Sequence, residues 1–213
     1  MNNIADIRKE YKQQILLEKD AKPNAIDQFD TWWQQAINSN IDEVNAMTLV
    51  TVNAQAKPTA RIVLLKGFDE NGFVFFSNYE SNKAQNILQN PHVCLVFFWK
   101  ELERQVRIEG IANTLSSQAN DIYFNSRPTG SKIGAWASPQ STVIENRQIL
   151  EENVAEYTQQ FEAGNIPRPA HWGGYCVLPT LIEFWQGRPS RLHDRLQYTL
   201  LNNNEWQIAR LAP

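Results

Sequence analysis

The sequence predicts an antiparallel β-barrel decorated by helices, a mainly β fold with helices of the α+β class. Three observations lead there. Short runs rich in Val, Ile, Phe and Thr recur from residue 46 onward. Turn-forming clusters such as Asp69-Glu-Asn-Gly72 separate them. Stretches with helical periodicity lie outside those runs, at the N-terminus and before residue 161. Several short strands joined by tight turns are the signature of a closed or nearly closed antiparallel sheet.

Taken in order, residues 4–17 and 26–37 are helix candidates. Ala21-Lys-Pro-Asn24 breaks them, because proline lacks an amide donor and fixes φ. Residues 47–52 form the first strand, 53–58 a turn, 61–66 the second strand and 73–77 the third, after a hairpin turn at 69–72. Residues 81–90 form a short helix that stops before Pro91. Residues 92–99 and 104–115 are the fourth and fifth strands, and 117–126 returns to helix. Thr142-x-x-Glu145 reads as a capping box for a helix whose apolar face is Val143, Leu150, Val154, Tyr157 and Phe161. Residues 175–177, 181–185, 191–200 and 206–211 end the chain as strands.

Bulk properties bound the function. A chain of 213 residues, 42% hydrophobic with seven Trp, suits one domain with a sizeable core. The net charge of −3 offers no broad basic surface for nucleic acid or an anionic membrane, so any anion site must be local. The N-terminal MNNIADIRKEYKQQ is polar, without the apolar core of a signal peptide, and no run nears the ~20 apolar residues of a membrane span. The expected compartment is the cytoplasm. Cys94 and Cys176 sit in apolar strand-like runs and read as buried free thiols. Three His and two Cys, none at ligand spacing, argue against a structural metal.

The segment from Ile182 to Arg195 is the most informative. Gly187-Arg-Pro-Ser190 reads as a turn. In an extended strand Arg191, His193 and Arg195 share one face. Cationic groups in line repel, and enclosed ones need an anion or polar partners. A solvated strand face is the plain alternative. Trp185 just before the turn favours a flat anionic ligand.

Glu183-Phe-Trp-Gln with Arg191-Leu-His-Asp-Arg195 resembles the signature of the pyridoxamine/pyridoxine 5'-phosphate oxidase family. Arg61-Ile-Val-Leu-Leu-Lys66, Leu102-Glu-Arg-Gln-Val106, Ser126-Arg-Pro128, Ile133-Gly-Ala-Trp136, Trp172-Gly-Gly174 and Arg210-Leu-Ala-Pro213 resemble further family blocks, in the family's order. The resemblance runs from about Arg8 to Pro213. It implies one FMN-binding split-barrel domain over residues 1–213, with an N-terminal helical segment over about 1–40. It implies a homodimer with FMN at the interface. The implied reaction oxidises the 4' carbon of pyridoxine or pyridoxamine 5'-phosphate to give pyridoxal 5'-phosphate. A hydride passes to the flavin, and oxygen reoxidises it to give peroxide. The amine also loses ammonia.

The resemblance also assigns residues. Arg61 and Lys83 match phosphate-binding positions, with Ser81 and Asn82 at the start of the following helix, where backbone donors favour an anion. Ile62, Val63, Leu64, Leu65, Lys66, Phe76, Ser77, Gln105, Gln140 and Ser141 match other FMN positions, and Trp185 and Arg195 flank the flavin. Gln105 could instead pair within the sheet, and Gln140 and Ser141 could cap a helix. Lys66, Tyr123, Arg127 and Ser131 match the substrate-phosphate site, and Tyr123 and Arg127 are four apart on a helix. Arg191 and His193, with Leu192 between them, match catalytic residues over the substrate ring; His193 serves in positioning or in proton transfer. Arg8, Lys9, Glu10 and Tyr11 match a segment that closes on substrate. Two positions depart from the pattern. Asn82 stands where Arg is common and removes one charge-assisted bond of ~1.5–3 kcal/mol. Phe76 stands where Tyr is common. Strict alternation from Arg61 to Lys66 puts the two cations on opposite faces unless the strand twists, bulges or ends there. Another split-barrel flavin or deazaflavin reductase, and a non-catalytic binder of FMN or vitamin B6 phosphate, are the alternatives.

Overall fold

The computed structural model describes Ile4, residues 10–162 and residues 164–213. Nine strands among these residues form one curled antiparallel sheet. They are β1 (Ala46–Val52), β2 (Pro58–Leu64), β3 (Gly67–Asp69), β4 (Gly72–Asn78), β5 (His92–Trp99), β6 (Arg104–Thr114), β7 (Trp172–Gln186), β8 (Asp194–Leu200) and β9 (Trp206–Arg210). Their order is β2-β1-β5-β6-β7-β4-β3, with β8 and β9 attached through β7. The mainly β architecture expected from the strand runs is thus present.

β7 organises the sheet. β6 pairs along nearly its whole length. Its other edge is shared: Trp172–Val177 pair with β4, and Leu181–Gln186 with β8. The sequence reads as two strands here because Pro179 interrupts the apolar pattern. Proline donates no ladder bond, and Pro179 lies between the β4 and β8 pairings, where the register with β6 also shifts at Glu109/Gly110.

Alternate residues of the strands point inward. Leu49, Phe73, Phe75, Leu95, Phe97, Val106, Ile108, Phe184, Leu196 and Tyr198 are all fully buried. Helix α1 (Ala25–Asn38) closes this core. The Asn24 side chain accepts from the Ile26 amide at its start. Phe29 then packs edge-on to Phe73 and tilted against Phe97, and Trp32 packs edge-on to Phe184. A second cluster of Phe124, Ile133, Ile166 and Trp172 lies under α3 (Ser117–Ser126), α4 (Thr129–Ala137) and α5 (Gln148–Gln160). Helix α2 (Asn82–Gln89) sits against the barrel between β4 and β5 in sequence.

Several expectations need correction. Residues 10–17 of the proposed 4–17 helix are not helical. Their amides are satisfied elsewhere: Lys12 and Gln13 N–H donate to the Glu103 carboxylate, and Leu16 N–H donates to Asp194. The capping box at 142–145 is not used. Helix α5 begins at Gln148, and Val143 is almost wholly exposed. Helix α4 has no counterpart in the sequence reading. Cys94 and Cys176 are free but half-buried. Arg191 lies outside β8, in a 3-10 turn over Pro189–Arg191.

Gly72 opens β4 at φ +128°, and a Cβ there would lie 2.1 Å from the Val177 carbonyl oxygen. That oxygen belongs to the backbone of β7 and cannot move aside. We expect Gly72→Ala to destabilise the protein by about 2 kcal/mol or more, read by urea unfolding. Gly67→Ala, which would meet nothing within 4 Å, serves as the control. Equal stability of the two variants would refute this account of the β4–β7 packing.

Candidate functional site

Beside the second cluster lies a cavity of about 630 Å³. Its walls come from four places. Ile62, Val63, Leu64 and Lys66 line it from the edge strand β2 and the residues just beyond. Phe76, Ser77, Asn78 and Lys83 line it from β4 and α2, and Tyr123, Arg127, Pro128, Ser131, Gly134, Ala135, Ser138 and Gln140 from α3, α4 and the following turn. Trp172 closes it from the start of β7.

The tension between Arg61 and Lys66 is resolved by the strand's end. β2 stops at Leu64, and the Lys66 amide donates to Val74, so Lys66 leaves the pleat at the cavity mouth. Arg61 does not line the cavity. It lies behind Lys83, donating to Thr51, Thr59 and the Leu49 carbonyl. Leu65 is buried in the core. Ser81 is buried at the N-terminus of α2, Asn82 is exposed, and Ser141 is exposed with φ +73°. Arg127 is not on the helix with Tyr123. α3 ends at Ser126, and Arg127 is extended because Pro128 follows it. Both nevertheless reach the same cavity.

Lys66, Lys83 and Arg127 border this space, and no Asp or Glu among the described residues lines it. Lys83 Nζ is held by three neutral oxygens: Ser77 Oγ at 3.0 Å, Ser81 Oγ at 3.2 Å and Gln140 Oε1 at 3.0 Å. Burial, and then the neighbouring Arg61 charge, lower its pKa to about 8. Burial also lowers the Arg127 pKa. Its Nη1 is buried without a hydrogen-bond partner, and the guanidinium lies 4.5 Å from the Trp172 ring centroid. A Cβ on Gly134 would meet nothing within 4 Å, which leaves open space on that wall. Two desolvated cations, Lys83 and Arg127, without carboxylates and beside the stacked rings of Phe76, Tyr123 and Trp172, fit a flat ligand carrying phosphate. The residues present therefore fit FMN and a second phosphate ester.

The other expected residues gather elsewhere. Gln105, Trp185 and Arg195 stand in one row across β6, β7 and β8, so they share a face. Trp185 packs 4.5 Å from His193 and 5.8 Å from Tyr11, centroid to centroid. Arg195 is committed to Glu183 at 2.7 Å, which raises its pKa. His193 Nδ1 accepts from the Arg188 amide at 3.1 Å. An acceptor nitrogen carries no proton, so the neutral ring keeps its proton on Nε2. Burial, then the Arg191 charge, lowers the His193 pKa, consistent with that form. Ser190 and Arg191 have φ +57° and +62°, so the turn, not a strand, aims Arg191. Leu192 is exposed, as is Glu10. Arg8 and Lys9 lie outside the described residues.

The two groups sit at opposite ends of β7. From Gly174, opposite Phe76, to Trp185 is eleven residues of strand, or roughly 35 Å of path. Asn78, Pro128, Gly134, Ala135, Ser138 and Trp172 were not expected at the site. The Ser126-Arg-Pro128, Ile133-Gly-Ala-Trp136 and Trp172-Gly-Gly174 blocks were the signals available for four of them.

Comparison with known proteins gives the family. The model for pyridoxamine 5'-phosphate oxidase matches residues 33–161. The model for the pyridoxine 5'-phosphate oxidase C-terminal dimerisation region matches residues 172–213. Pyridoxine/pyridoxamine 5'-phosphate oxidase of Paraburkholderia phymatum is 56% identical over 100% of both chains. That of a Cyanothece species is 54% identical over 99% of both. A crystal structure of PhzG from Burkholderia lata 383, in complex with tetrahydrophenazine-1-carboxylic acid, superposes with a TM-score of 0.87 at 26% identity. It covers 93% of this chain and 98% of that one. A pyridoxamine 5'-phosphate oxidase-related, FMN-binding protein from Nostoc punctiforme shares the fold, with a TM-score of 0.70 at 17% identity, covering 87% and 97% of the two chains.

The depressed Lys83 makes the anion site pH-dependent. A bound phosphate favours the charged amine and raises its pKa, so binding takes up a proton above pH about 8. We expect FMN affinity to be flat from pH 7 to about 8 and then to fall, by up to about tenfold per unit. Lys83→Met should remove the slope. Fluorescence titration of apoprotein across this range is the measurement, and a wild-type affinity that stays level to pH 9.5 would count against Lys83 as a phosphate ligand.

Proposed function

This chain belongs to the pyridoxamine 5'-phosphate oxidase family, and we propose that it oxidises pyridoxine 5'-phosphate and pyridoxamine 5'-phosphate to pyridoxal 5'-phosphate. FMN is the cofactor, and when bound it accepts a hydride from the substrate's 4' carbon and passes the electron pair to oxygen, giving hydrogen peroxide. The amine substrate also consumes water and releases ammonia. The carrying observation is the aromatic-walled cavity with Lys66, Lys83 and Arg127 on its wall and no carboxylate among the described residues that line it. Two groups of cations favour two phosphate esters over a single carboxylate ligand.

In this reading Lys83, backed by Arg61, takes the FMN phosphate with Ser77, Ser81 and Gln140. The backbone from Ile62 to Leu64 frames the flavin. Lys66, Tyr123, Arg127 and Ser131 take the substrate phosphate. Arg191 complements the substrate's negative charge and orients it. His193 is a positioning donor through Nε2–H, because its Nδ1 is already engaged.

Gln105, Trp185, Arg191, His193 and Arg195 complete the site from a second copy of the chain. A strand cannot bring both of its ends to one ligand, whereas a two-fold axis brings one chain's far end over its partner's cavity. The match of residues 172–213 to a dimerisation region supports this arrangement. Tyr11 travels with the same group. The chain acts as one domain, since the main buried cluster runs from Leu16 to Tyr198 and the second cluster shares strands β4 and β7 with it.

A flavin spectrum in the purified protein, and peroxide release on adding pyridoxine 5'-phosphate, test the reaction directly. Arg191→Ala and His193→Ala should each lower kcat/KM by roughly 5- to 150-fold while FMN stays bound. Anaerobic stopped-flow reduction isolates the hydride step, and wild-type rates in both variants would remove these residues from the site. Dilution should release FMN as the dimer dissociates. A monomer holding stoichiometric FMN in sizing experiments at several concentrations would rule out the shared site.

A further inference from the structure

Trp172 belongs to a sequence block that the assignments above leave unused. Its side chain is 7% exposed and lines the cavity. Its backbone is fixed on two sides. It pairs with Asn78 of β4, and its carbonyl accepts from Arg168 Nη1 at 2.8 Å. Arg168 is itself held by Asp121 at 2.7 Å and Ser117 at 2.9 Å. The indole plane lies within 10° of Phe76 and within 4° of Tyr123, so three rings form one parallel set. The Arg127 guanidinium rests on this set, 4.5 Å from the Trp172 centroid, with Phe124 at 5.6 Å.

That contact differs from the arginine sites held by carboxylates, and from Arg104, which also stacks on an indole, that of Trp32, but donates its N–H groups to Gln14, Gln35 and Gln186. Arg107 and Arg195 lean on Glu183, and Arg210 on Glu18 and Asp194. Arg127 has no carboxylate partner among the described residues, and one of its nitrogens is buried without an acceptor. A carboxylate would hold the guanidinium but cancel the charge that an incoming anion has to find. An aromatic face holds it by its quadrupole and leaves the net charge intact. Desolvation strengthens that hold, because water no longer competes for the cation.

Resting on the reading of this cavity as a phosphate-ester site, we propose that Trp172 is a positioning residue for substrate phosphate. Its ring presents the Arg127 guanidinium, charged and oriented, to the phosphate, and so selects phosphorylated substrates over their unphosphorylated counterparts.

The test uses FMN-loaded protein, so that the cofactor's own phosphate site is filled. Trp172→Leu should raise KM for pyridoxine 5'-phosphate about tenfold, with kcat within about threefold and FMN content unchanged. Its affinity for inorganic phosphate, by calorimetry, should fall in parallel. Trp172→Phe keeps a weaker ring and should leave a loss of about threefold in phosphate affinity. In an Arg127→Ala background, Trp172→Phe should have no further effect on phosphate affinity. Wild-type KM and phosphate affinity in the leucine variant, a fall in kcat with KM unchanged, or additive losses in the double variant would each overturn the proposal. The Arg127→Ala cycle decides the matter if the leucine variant does not fold. A wild-type protein that binds phosphate but oxidises no pyridoxine 5'-phosphate would overturn the assigned reaction instead, and the phosphate measurements would still judge Trp172.

Discussion

A fifteen-residue strand cannot fold back on itself, and much of this architecture follows from that constraint on β7. Its first half hydrogen-bonds to β4 and carries Trp172 at the cavity. Its second half bonds to β8 and carries Trp185. β6 runs along both and locks them together. The partner change falls at Pro179, which has no N–H to lose. Every residue associated with the flavin or substrate is therefore assigned to one end or the other. A site requiring both ends has to be assembled between chains, so the fold and the proposed dimer are aspects of one geometric fact.

Charge is distributed with the same logic. Away from the cavity, buried or half-buried arginines have oxygen acceptors, charged or neutral, for their N–H groups. Glu183 serves Arg107 and Arg195 together, and Arg104 is wrapped by the amide oxygens of Gln14, Gln35 and Gln186 while stacking on Trp32. Around the cavity, Lys83 rests on neutral oxygens and Arg127 on an aromatic face. Holding cations in this way costs stability in the free protein, visible in the lowered pKa values of both groups. The cost is recovered when phosphate binds, because the ligand then supplies the missing negative charge.

The N-terminal strap shows how a local pattern is overruled. Glu103 adopts φ +56° at the start of β6, and its buried carboxylate accepts two amides from residues 12 and 13. Its carbonyl accepts the Gly187 amide at 2.7 Å. One residue thereby ties the extended strap to the turn that leads toward Arg191 and His193. Tyr11 packs directly over Gly187, where a Cβ would collide with its ring at 2.7 Å. Helical periodicity in residues 10–17 carries no information about such distant acceptors.

The sequence by itself determined the strands β1, β4, β5, β6 and β9, the helices α1, α2 and α3, and the motif set that led to the flavin and phosphate residues. These depend on side-chain alternation, on caps and on proline, all of which act within a few residues. Tertiary structure alone decided the rest. It fused two predicted strands into β7, ended β2 before Lys66, and moved Arg191 out of a strand into a left-handed turn. It set Trp172 beneath the Arg127 guanidinium. It also separated Trp185 and His193 from the cavity by most of a strand's length. Each outcome depends on which backbone group finds a partner far along the chain, and no local window of sequence contains that partner.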